Sequence, residues 1–277
     1  MSVMPLFLNK NPHLAADLAL VDHVSAALTT AGEVLIKRLP DTGFFADRDD
    51  VVEAIFANDE ASLKSFQPAL SVLRPEAGWV DDELASGTLP EGEWWVTDPV
   101  EGNINHIHGM TDWGVTATLI RDNVPVLTVI HLPLTNDTYT AVLGGGAFLD
   151  GKPIEPSRKH HLDAALAGTG QASPRETIET FAMMGRSMTA MLDAALVLRV
   201  SVPATLQLIQ VAAGRMDVFW QHSGVRSGLV SGALLVTEAG GIVTDLHGET
   251  WTLESRGFLA TAPHLHDEAV KLLSPLS

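Results

Sequence analysis

The chain has 277 residues, enough to bury a large core as one domain or as two modest subdomains. Its 46% apolar content with 23 glycines is typical of a compact α/β or α+β protein. Seventeen basic against 34 acidic residues give a formal charge of −17, which disfavours nucleic-acid binding because that requires basic patches. The chain has no cysteine, no basic start followed by an apolar stretch, and no apolar run near the length of about 18 residues that indicates a membrane span. We therefore expect a cytoplasmic protein without disulfides, signal peptide or membrane span.

Two helices are predicted in the first quarter of the chain. Apolar residues recur at spacings of three and four over residues 13–39, the pattern of a helix with one apolar face. A turn at 40–43 precedes a second helix over 50–73, which Pro68 is expected to break because proline removes a helical hydrogen bond. We assign these apolar residues to the inner face of the second helix: Val51, Val52, Ile55, Phe56, Leu63, Phe66, Leu70 and Leu73.

A tight turn follows the next predicted strand. Residues 94–96, Trp-Trp-Val, are large and β-prone, which indicates a buried strand. Asp98 lies at the end of this strand, where the proline after it stops the strand ladder and Gly102 permits a sharp turn. Asn103 is expected to be the N-cap of a short helix that begins at Ile104.

Two carboxylates lie in this turn, Asp98 and Glu101. Carboxylates three residues apart on a rigid turn can hold a hard cation such as Mg²⁺. Backbone N–H groups at the start of the short helix, at Gly102, Asn103 and Ile104, can hold phosphate oxygens. The turn therefore predicts a combined metal and phosphate site, and an acidic protein that binds a phosphate ester needs such a cation.

Antiparallel strands are predicted in the middle of the chain, and helices alternate with strands after them. Strands over 114–121, 124–132 and 138–143 are joined by short turns, which implies antiparallel pairing. A boundary at 155–159 divides the chain into an N-terminal α+β subdomain, 1–155, which carries the metal and phosphate turn, and a C-terminal α/β subdomain, 156–277. Later helices are predicted over 177–197, 204–213, 229–239 and 265–273, and later strands over 198–202, 216–221, 242–245 and 257–261.

The metal and phosphate turn also resembles a known signature. Residues 98–109 read Asp-Pro-Val-Glu-Gly-Asn-Ile-Asn-His-Ile-His-Gly. This is similar to Asp-Pro-Ile/Leu-Asp-Gly-Thr-x-Asn-Phe-x-His-Gly of the inositol-monophosphatase-like, Mg²⁺-dependent phosphatases, and blocks at 144–154, 211–217 and 231–245 fit the same family in order. The resemblance implies a layered αβαβα sandwich of the sugar-phosphatase type, phosphomonoesterase activity on a small polyol or sugar phosphate, and a homodimer.

The resemblance also implies roles for individual residues. Asp98 matches a bridging metal ligand, the Val100 carbonyl a backbone ligand, and Glu101 a metal-binding Asp. Asn103 stands where the family has a Thr that positions the attacking water, so Asp98, Glu101 and Asn103 form the expected catalytic set. Asp82 falls on a Glu ligand and either binds the metal, directly or through water, or belongs to an acidic cluster that caps a helix.

Several positions depart from the family pattern and remove negative charge. The Asp that binds a second metal falls on Gly228, a substrate-binding Glu falls on Gln221, and another Asp falls on Gln207. We therefore expect weakened Mg²⁺ binding in which one ion survives. Gln221, Arg226 and His106, the last in place of the signature Phe, are predicted to face the substrate, although Arg226 also suits a solvated loop.

These departures leave other functions open. The fold could use Glu101, His106 or Arg226 for metal-free acid–base chemistry on another small metabolite, or it could be a non-catalytic binding protein. The phosphatase is favoured because the phosphate-binding turn persists. Gly228→Asp should raise Mg²⁺ affinity, or destabilise the protein if the neighbouring structure has closed over the gap.

Overall fold

The computed structural model describes residues 11–40, 45–80, 85–171, 173 and 176–277, in which two sheets alternate with helices. The helices are α1 (Leu14–Leu18), α2 (Val21–Ile36), α3 (Arg48–Leu73), α4 (Asn103–Ile107), α5 (Ile178–Ala194), α6 (Ala204–Ala212), α7 (Ser227–Glu238) and α8 (His266–Leu273). The strands are β1 (Gly78–Trp79), β2 (Glu93–Glu101), β3 (Gly114–Arg121), β4 (Val124–Leu132), β5 (Asp137–Val142), β6 (Gly146–Leu149), β7 (Lys152–Pro153), β8 (Leu166–Thr169), β9 (Val197–Val200), β10 (Val218–Gln221), β11 (Ile242–Thr244) and β12 (Phe258–Thr261).

The two sheets differ in strand direction. The first contains β1 to β7 in sequence order, and its neighbours pair antiparallel apart from the parallel pair β1–β2. The second has the order β11-β12-β10-β8-β9, in which β8 is parallel to both of its neighbours and β12 is antiparallel to both of its own. The predicted antiparallel strands over 114–121 and 124–132 are confirmed as β3 and β4.

The helices form layers around these sheets. α2 and α3 pack on the first sheet, and α5 and α8 pack on the second. Between the sheets, α6 contacts α7 and the second sheet, while α7 contacts strands of both sheets. The order is helix, sheet, helix, sheet, helix, so the predicted αβαβα sandwich is confirmed.

The predicted division at residues 155 and 156 stays a prediction. The first sheet lies within residues 78–153 and the second within 166–261, which follows the expected boundary. α7 nevertheless comes from the second part and packs on β4 of the first. One buried cluster therefore contains side chains from both parts of the chain.

Three helix predictions need correction. The stretch 13–39 forms two helices, α1 and α2, and the helix predicted over 177–197 already ends at Ala194. α3 begins at Arg48 because the Asp47 side chain accepts hydrogen bonds from the backbone of the next two aspartates. It continues through Pro68, which is exposed, so the carbonyl that loses its helical partner can bond to water.

Residues Leu14–Ile36 are the one helical stretch among the described residues that is long and apolar enough to cross a membrane. Four of its side chains, Val24, Leu28, Ala31 and Leu35, are fully buried, and α2 packs on β3, β4 and α3. A core helix passes the same test of length and composition, so this is weak evidence for a span. The expectation of no membrane span stays a prediction.

Candidate active site

The turn between β2 and α4 is the centre of the candidate site. β2 pairs with β3 as far as Asp98, and the register then shifts before Glu101. Gly102 has a φ of +83°, and a Cβ there would lie 2.7 Å from the carbonyl oxygen of Asp112, so the turn requires glycine. Gly102 is itself the N-cap of α4, so the predicted cap at Asn103 is wrong by one residue.

A cavity of about 520 Å³ opens beside this turn. Its lining contains both predicted carboxylates, Asp98 and Glu101, together with Gly102 and Ile104 of the predicted phosphate site. Gln221, predicted to face the substrate, lines the same space from β10. Five predicted site residues thus meet around a cavity that is large enough for a small ligand.

Glu101 is a buried acid with little to balance its charge. The side chain is 3% exposed, and its Oε2 accepts a hydrogen bond of 2.7 Å from the Thr205 hydroxyl. Burial raises the pKa of the Glu101 carboxyl to about 7, which the Thr205 hydrogen bond only partly offsets. The Thr205 hydroxyl also lies 3.1 Å from the Gly228 carbonyl and has a single hydrogen for both acceptors. The carboxylate therefore favours either a proton or a cation.

Asp98 is fixed by the backbone around it. Its Oδ1 accepts a hydrogen bond of 3.1 Å from the N–H of Val100, and its own N–H donates to the Thr116 hydroxyl at 3.3 Å. These bonds tie the carboxylate to the end of β2 at the rim of the cavity. Val100 is buried, and the role of its carbonyl as a metal ligand stays a prediction.

The Asn103 side chain does not face the cavity, which corrects its predicted role beside the attacking water. Its Nδ2 donates to the Ile55 carbonyl at 2.9 Å and to Asp59 Oδ1 at 2.7 Å, and its Oδ1 accepts from Asn58 Nδ2 at 3.2 Å. The amide is thus engaged by α3, because three polar groups of that helix lie within reach. Only the backbone N–H of Asn103 keeps its predicted phosphate role.

Asp59 is a residue near the site that sequence reasoning missed. It lies on α3 and accepts a hydrogen bond from Asn103, while burial raises the pKa of its carboxyl to about 6. The sequence offered no signal for it, because the contact joins segments 44 positions apart.

His106 lies in the core, so the predicted substrate contact is wrong. It is fully buried, and its ring packs edge-on against Trp113 with centroids 4.7 Å apart. Its Nε2 donates to the Leu35 carbonyl at 2.9 Å, while Nδ1 accepts from Asn58 Nδ2 at 3.0 Å. Arg38 donates to Asn58 Oδ1 at 2.8 Å, which fixes the orientation of that amide. Burial lowers the pKa of His106, which therefore acts as a neutral structural residue.

Arg226 is also engaged away from the cavity, which corrects its predicted substrate role. The residue is 4% exposed and does not line the cavity. Its guanidinium donates to the carbonyls of Ser86, at 3.0 Å, and Gly87, at 2.6 Å. These charge-assisted hydrogen bonds hold the loop before β2 against the start of α7.

Gly228 leaves space where the resemblance implies a carboxylate. It lines the cavity in the first turn of α7. A Cβ at this position would meet only Ala204 Cβ at 4.0 Å, an ordinary van der Waals contact. The neighbouring structure has therefore not closed over the position of the missing side chain.

The donors around the cavity fit a single hard cation. Asp98 and Glu101 are the acidic side chains that line it among the described residues. In that part of the chain, no group of three or more histidine and acidic side chains is placed to hold a metal. Mg²⁺ is commonly held by one or two carboxylates together with water and substrate phosphate, so two carboxylates suffice for one ion. Asp82, the further predicted ligand, lies in the stretch 81–84 outside the described residues.

Comparison with known proteins identifies the family. The profile of the inositol monophosphatase family matches residues 17–276. The chain belongs to this family. Inositol monophosphatase 2 of Solanum lycopersicum is 31% identical over 264 residues, which cover 92% of this chain and 97% of the relative. A putative Nus factor SuhB of Neisseria meningitidis serogroup A is 32% identical over 228 residues, covering 82% and 85% of the two chains.

Solved structures agree on the fold. The extragenic suppressor protein suhB of Bartonella henselae superposes with a TM-score of 0.79 at 24% identity, covering 92% of this chain and 98% of that one. The profile match and the relative from Solanum lycopersicum confirm the family that the turn signature predicted, and the superposition confirms its fold. The residue roles that the resemblance implies remain predictions.

Proposed function

We propose that this protein hydrolyses a small phosphate monoester with Mg²⁺ as its cofactor. The observation that carries the proposal is that Asp98, Glu101 and the first turn of α4 meet around one cavity. Family membership supports the same chemistry, and the relative from Solanum lycopersicum is named an inositol monophosphatase.

Different groups of the chain would bind the metal ion and the phosphate at this site. Asp98, Glu101 and the Val100 carbonyl would hold the ion, with Asp82 as a further ligand. Bound Mg²⁺ would supply positive charge to the phosphate oxygens and activate water. Glu101 favours such a cation, because an uncompensated carboxylate is costly at a buried position. The N–H groups of Gly102, Asn103 and Ile104 donate to the phosphate oxygens.

The predicted substrate is a polyol or sugar phosphate, as the name of the relative from Solanum lycopersicum supports. The size of the cavity suits such a small ester. Cytoplasmic location and the absence of nucleic-acid and membrane partners stay predictions.

A homodimer is part of the same proposal. Four aliphatic side chains at the end of α5 and along the edge strand β9 are largely exposed: Leu192 at 64%, Leu196 at 68%, Val197 at 50% and Val200 at 58%. An apolar surface beside an open sheet edge supports burial against a second copy. The molar mass in solution, by light scattering, tests this expectation.

Phosphate release from a panel of phosphate monoesters, measured with Mg²⁺ and with Mn²⁺, tests the activity. We expect metal-dependent turnover, lost on chelation and reduced at least about 100-fold by Asp98→Asn, because that change weakens the ion's best-placed ligand. Asp163→Asn is the matched control, since Asp163 is exposed outside the cavity. Absence of turnover across the panel by properly folded protein would overturn the proposal.

A second candidate is a ligand-binding protein of the same fold without phosphatase activity. Two observations favour it: every polar atom of the Asn103 side chain is engaged by α3, and Gly228 supplies no carboxylate. The putative Nus factor SuhB among the relatives shows that the family includes proteins named for another role. Ligand binding that persists in a chelator, without turnover, would support this candidate.

A further inference from the structure

One wall of the cavity is formed by the first two turns of α3, where three of the four lining residues are aliphatic. Four α3 residues line the cavity: Arg48, Val51, Val52 and Ile55. Their spacing of three, four and seven residues from the first places them on one side of the helix. The residues of α3 that are buried in the protein begin only at Asn58. The prediction that Val51, Val52 and Ile55 lie on the inner face of this helix is therefore wrong, because these side chains of the first two turns line the cavity and not the core.

Aliphatic residues from other parts of the chain line the same cavity. Ile104 of α4 is 39% exposed, although its side chain is aliphatic. Val202, Pro203 and Val225 line the cavity from other segments of the chain. Aliphatic side chains from separate elements thus surround one space, and an open apolar surface inside a cleft is typical of a site for an apolar ligand.

Among the described residues of these walls, few polar side chains could bind ligand hydroxyls, and the one charged side chain on the α3 wall, Arg48, lies at the exposed start of that helix. Gln221 is neutral and 3% exposed, and the Gln171 amide donates to the backbone of Ser173 at 2.8 Å. Ser173 and Ser227 both have partners within the protein. A polyol against such walls would lose water from its hydroxyls without regaining the hydrogen bonds, whereas an apolar group has none to lose.

We propose that this site selects phosphate monoesters whose alcohol portion is an apolar hydrocarbon group over polyol and sugar phosphates. This rests on the proposed function, since the phosphate end of the substrate is taken to lie at Asp98, Glu101 and α4. The hydrocarbon portion would lie between the α3 face and the wall formed by Ile104, Val202 and Val225.

The first test measures binding, which does not require turnover. Alkylphosphonates from methyl to hexyl, which cannot be hydrolysed, are titrated into the protein with Mg²⁺ and followed by calorimetry. Each methylene buried on aliphatic side chains should tighten binding about fourfold until the cavity is filled. Affinity that does not change with chain length would overturn the inference.

A matched pair of variants on α3 locates the effect. Val52→Asn places an amide on the cavity face, and we expect it to reduce the gain per methylene to less than about twofold. Val72→Asn makes the same change near the end of α3, where the side chain is 81% exposed and outside the cavity. The inference would be overturned if both variants unfolded like the wild type and lost the gain in affinity per methylene to the same extent, because the hydrocarbon would then bind elsewhere.

Turnover separates this inference from the proposed function. The kcat/KM values for hexyl phosphate and inositol 1-phosphate are compared in the same assay, and we expect the alkyl ester to be favoured at least tenfold. Hydrolysis with the inositol ester favoured would overturn the inference alone. Tightening along the phosphonate series without hydrolysis of any ester would support the inference and overturn the proposed activity.

Discussion

Two buried carboxylates in this protein have opposite surroundings. Asp17 is fully buried, but Arg121 donates to both of its oxygens, at 3.0 and 2.8 Å, and Arg74 lies 3.4 Å away. Glu101 is buried to nearly the same degree and has the Thr205 hydroxyl as its hydrogen-bond donor. The pKa of Asp17 is lowered, because hydrogen bonds from Arg121 and Asn11 and the charges of Arg121 and Arg74 outweigh its desolvation. Burial instead raises the pKa of Glu101 to about 7.

The comparison shows that burial of an acid does not by itself mark a functional site. Asp17 belongs to an ion-pair cluster with Arg121, Arg74 and Glu93 that links α1 to the first sheet. Glu101 lines a cavity and lacks a cationic side-chain partner among its described hydrogen bonds. The missing positive charge is what a divalent ion would supply.

Removal of the compensated acid should have the largest effect on stability. Asp17→Asn removes a buried carboxylate that accepts two charge-assisted hydrogen bonds from Arg121, which keeps Glu93 as its partner, and we expect unfolding in denaturant to require about 3–5 kcal/mol less free energy. Asp22→Asn on α2, at an exposed position, serves as the control. A loss of stability below about 1 kcal/mol would show that this ion-pair cluster does little to stabilise the fold.

The uncompensated acid should behave in the opposite way. Because the folded pKa of Glu101, about 7, lies above the usual value near 4.5, metal-free protein should lose stability as pH rises between these values. Glu101→Gln removes this loss, so the variant should gain up to about 3 kcal/mol on the wild type between pH 4.5 and 8. Urea unfolding in the presence of a chelator, repeated at several pH values, measures this difference in stability. If the stabilities of the wild type and Glu101→Gln changed in parallel with pH, the contrast with Asp17 would be contradicted.

His222 extends the comparison to a buried base. Its Nε2 lies 2.9 Å from the Ser187 hydroxyl, and burial together with Arg186 lowers its pKa to about 4. The folded protein therefore resists protonation, so stability falls as pH drops from about 6.5 toward 4. Relative to His222→Gln, the wild type should lose about 2 kcal/mol over that range in thermal or urea unfolding. If the difference in stability between the wild type and His222→Gln stayed constant over this pH range, His222 would not be a neutral buried histidine.

The smallest change in stability is expected at Gly228. Asp at this position lies in the first turn of α7, where a negative charge is favourable, and the Cβ has room, so stability should change by less than about 1 kcal/mol. A third carboxylate beside Glu101 should tighten Mg²⁺ binding about tenfold, measured by calorimetry. Gly228→Asn is the neutral control, and equal Mg²⁺ affinity in both variants would show that the new side chain does not reach the ion.

Local chemistry made the turn at residues 98–104 predictable. A strand end, two carboxylates and a glycine lie within seven residues, and the structure places Asp98, Glu101 and Gly102 beside one cavity. The turn depends on short-range pattern, which a sequence displays directly. The layered fold was predictable for a different reason, because the resemblance of four ordered sequence blocks to one family implied it.

The remaining features depend on contacts between distant segments. Asn103 turns its amide to Asp59, 44 positions away, and His106 bonds to the Leu35 carbonyl, 71 positions away. Neither partner can be recognised from residue type or spacing. The apolar face of α3 was visible as a pattern, but whether Val52 faces the core or a cavity depends on what lies opposite.

Calorimetric titration of Mg²⁺ into the protein, with and without inorganic phosphate, tests the central claim most directly. We predict saturable binding of one ion that phosphate strengthens, and its loss in Asp98→Asn but not in Asp163→Asn. Binding that is absent in the wild type, or unchanged in Asp98→Asn, would contradict the assignment of this cavity as a metal and phosphate site.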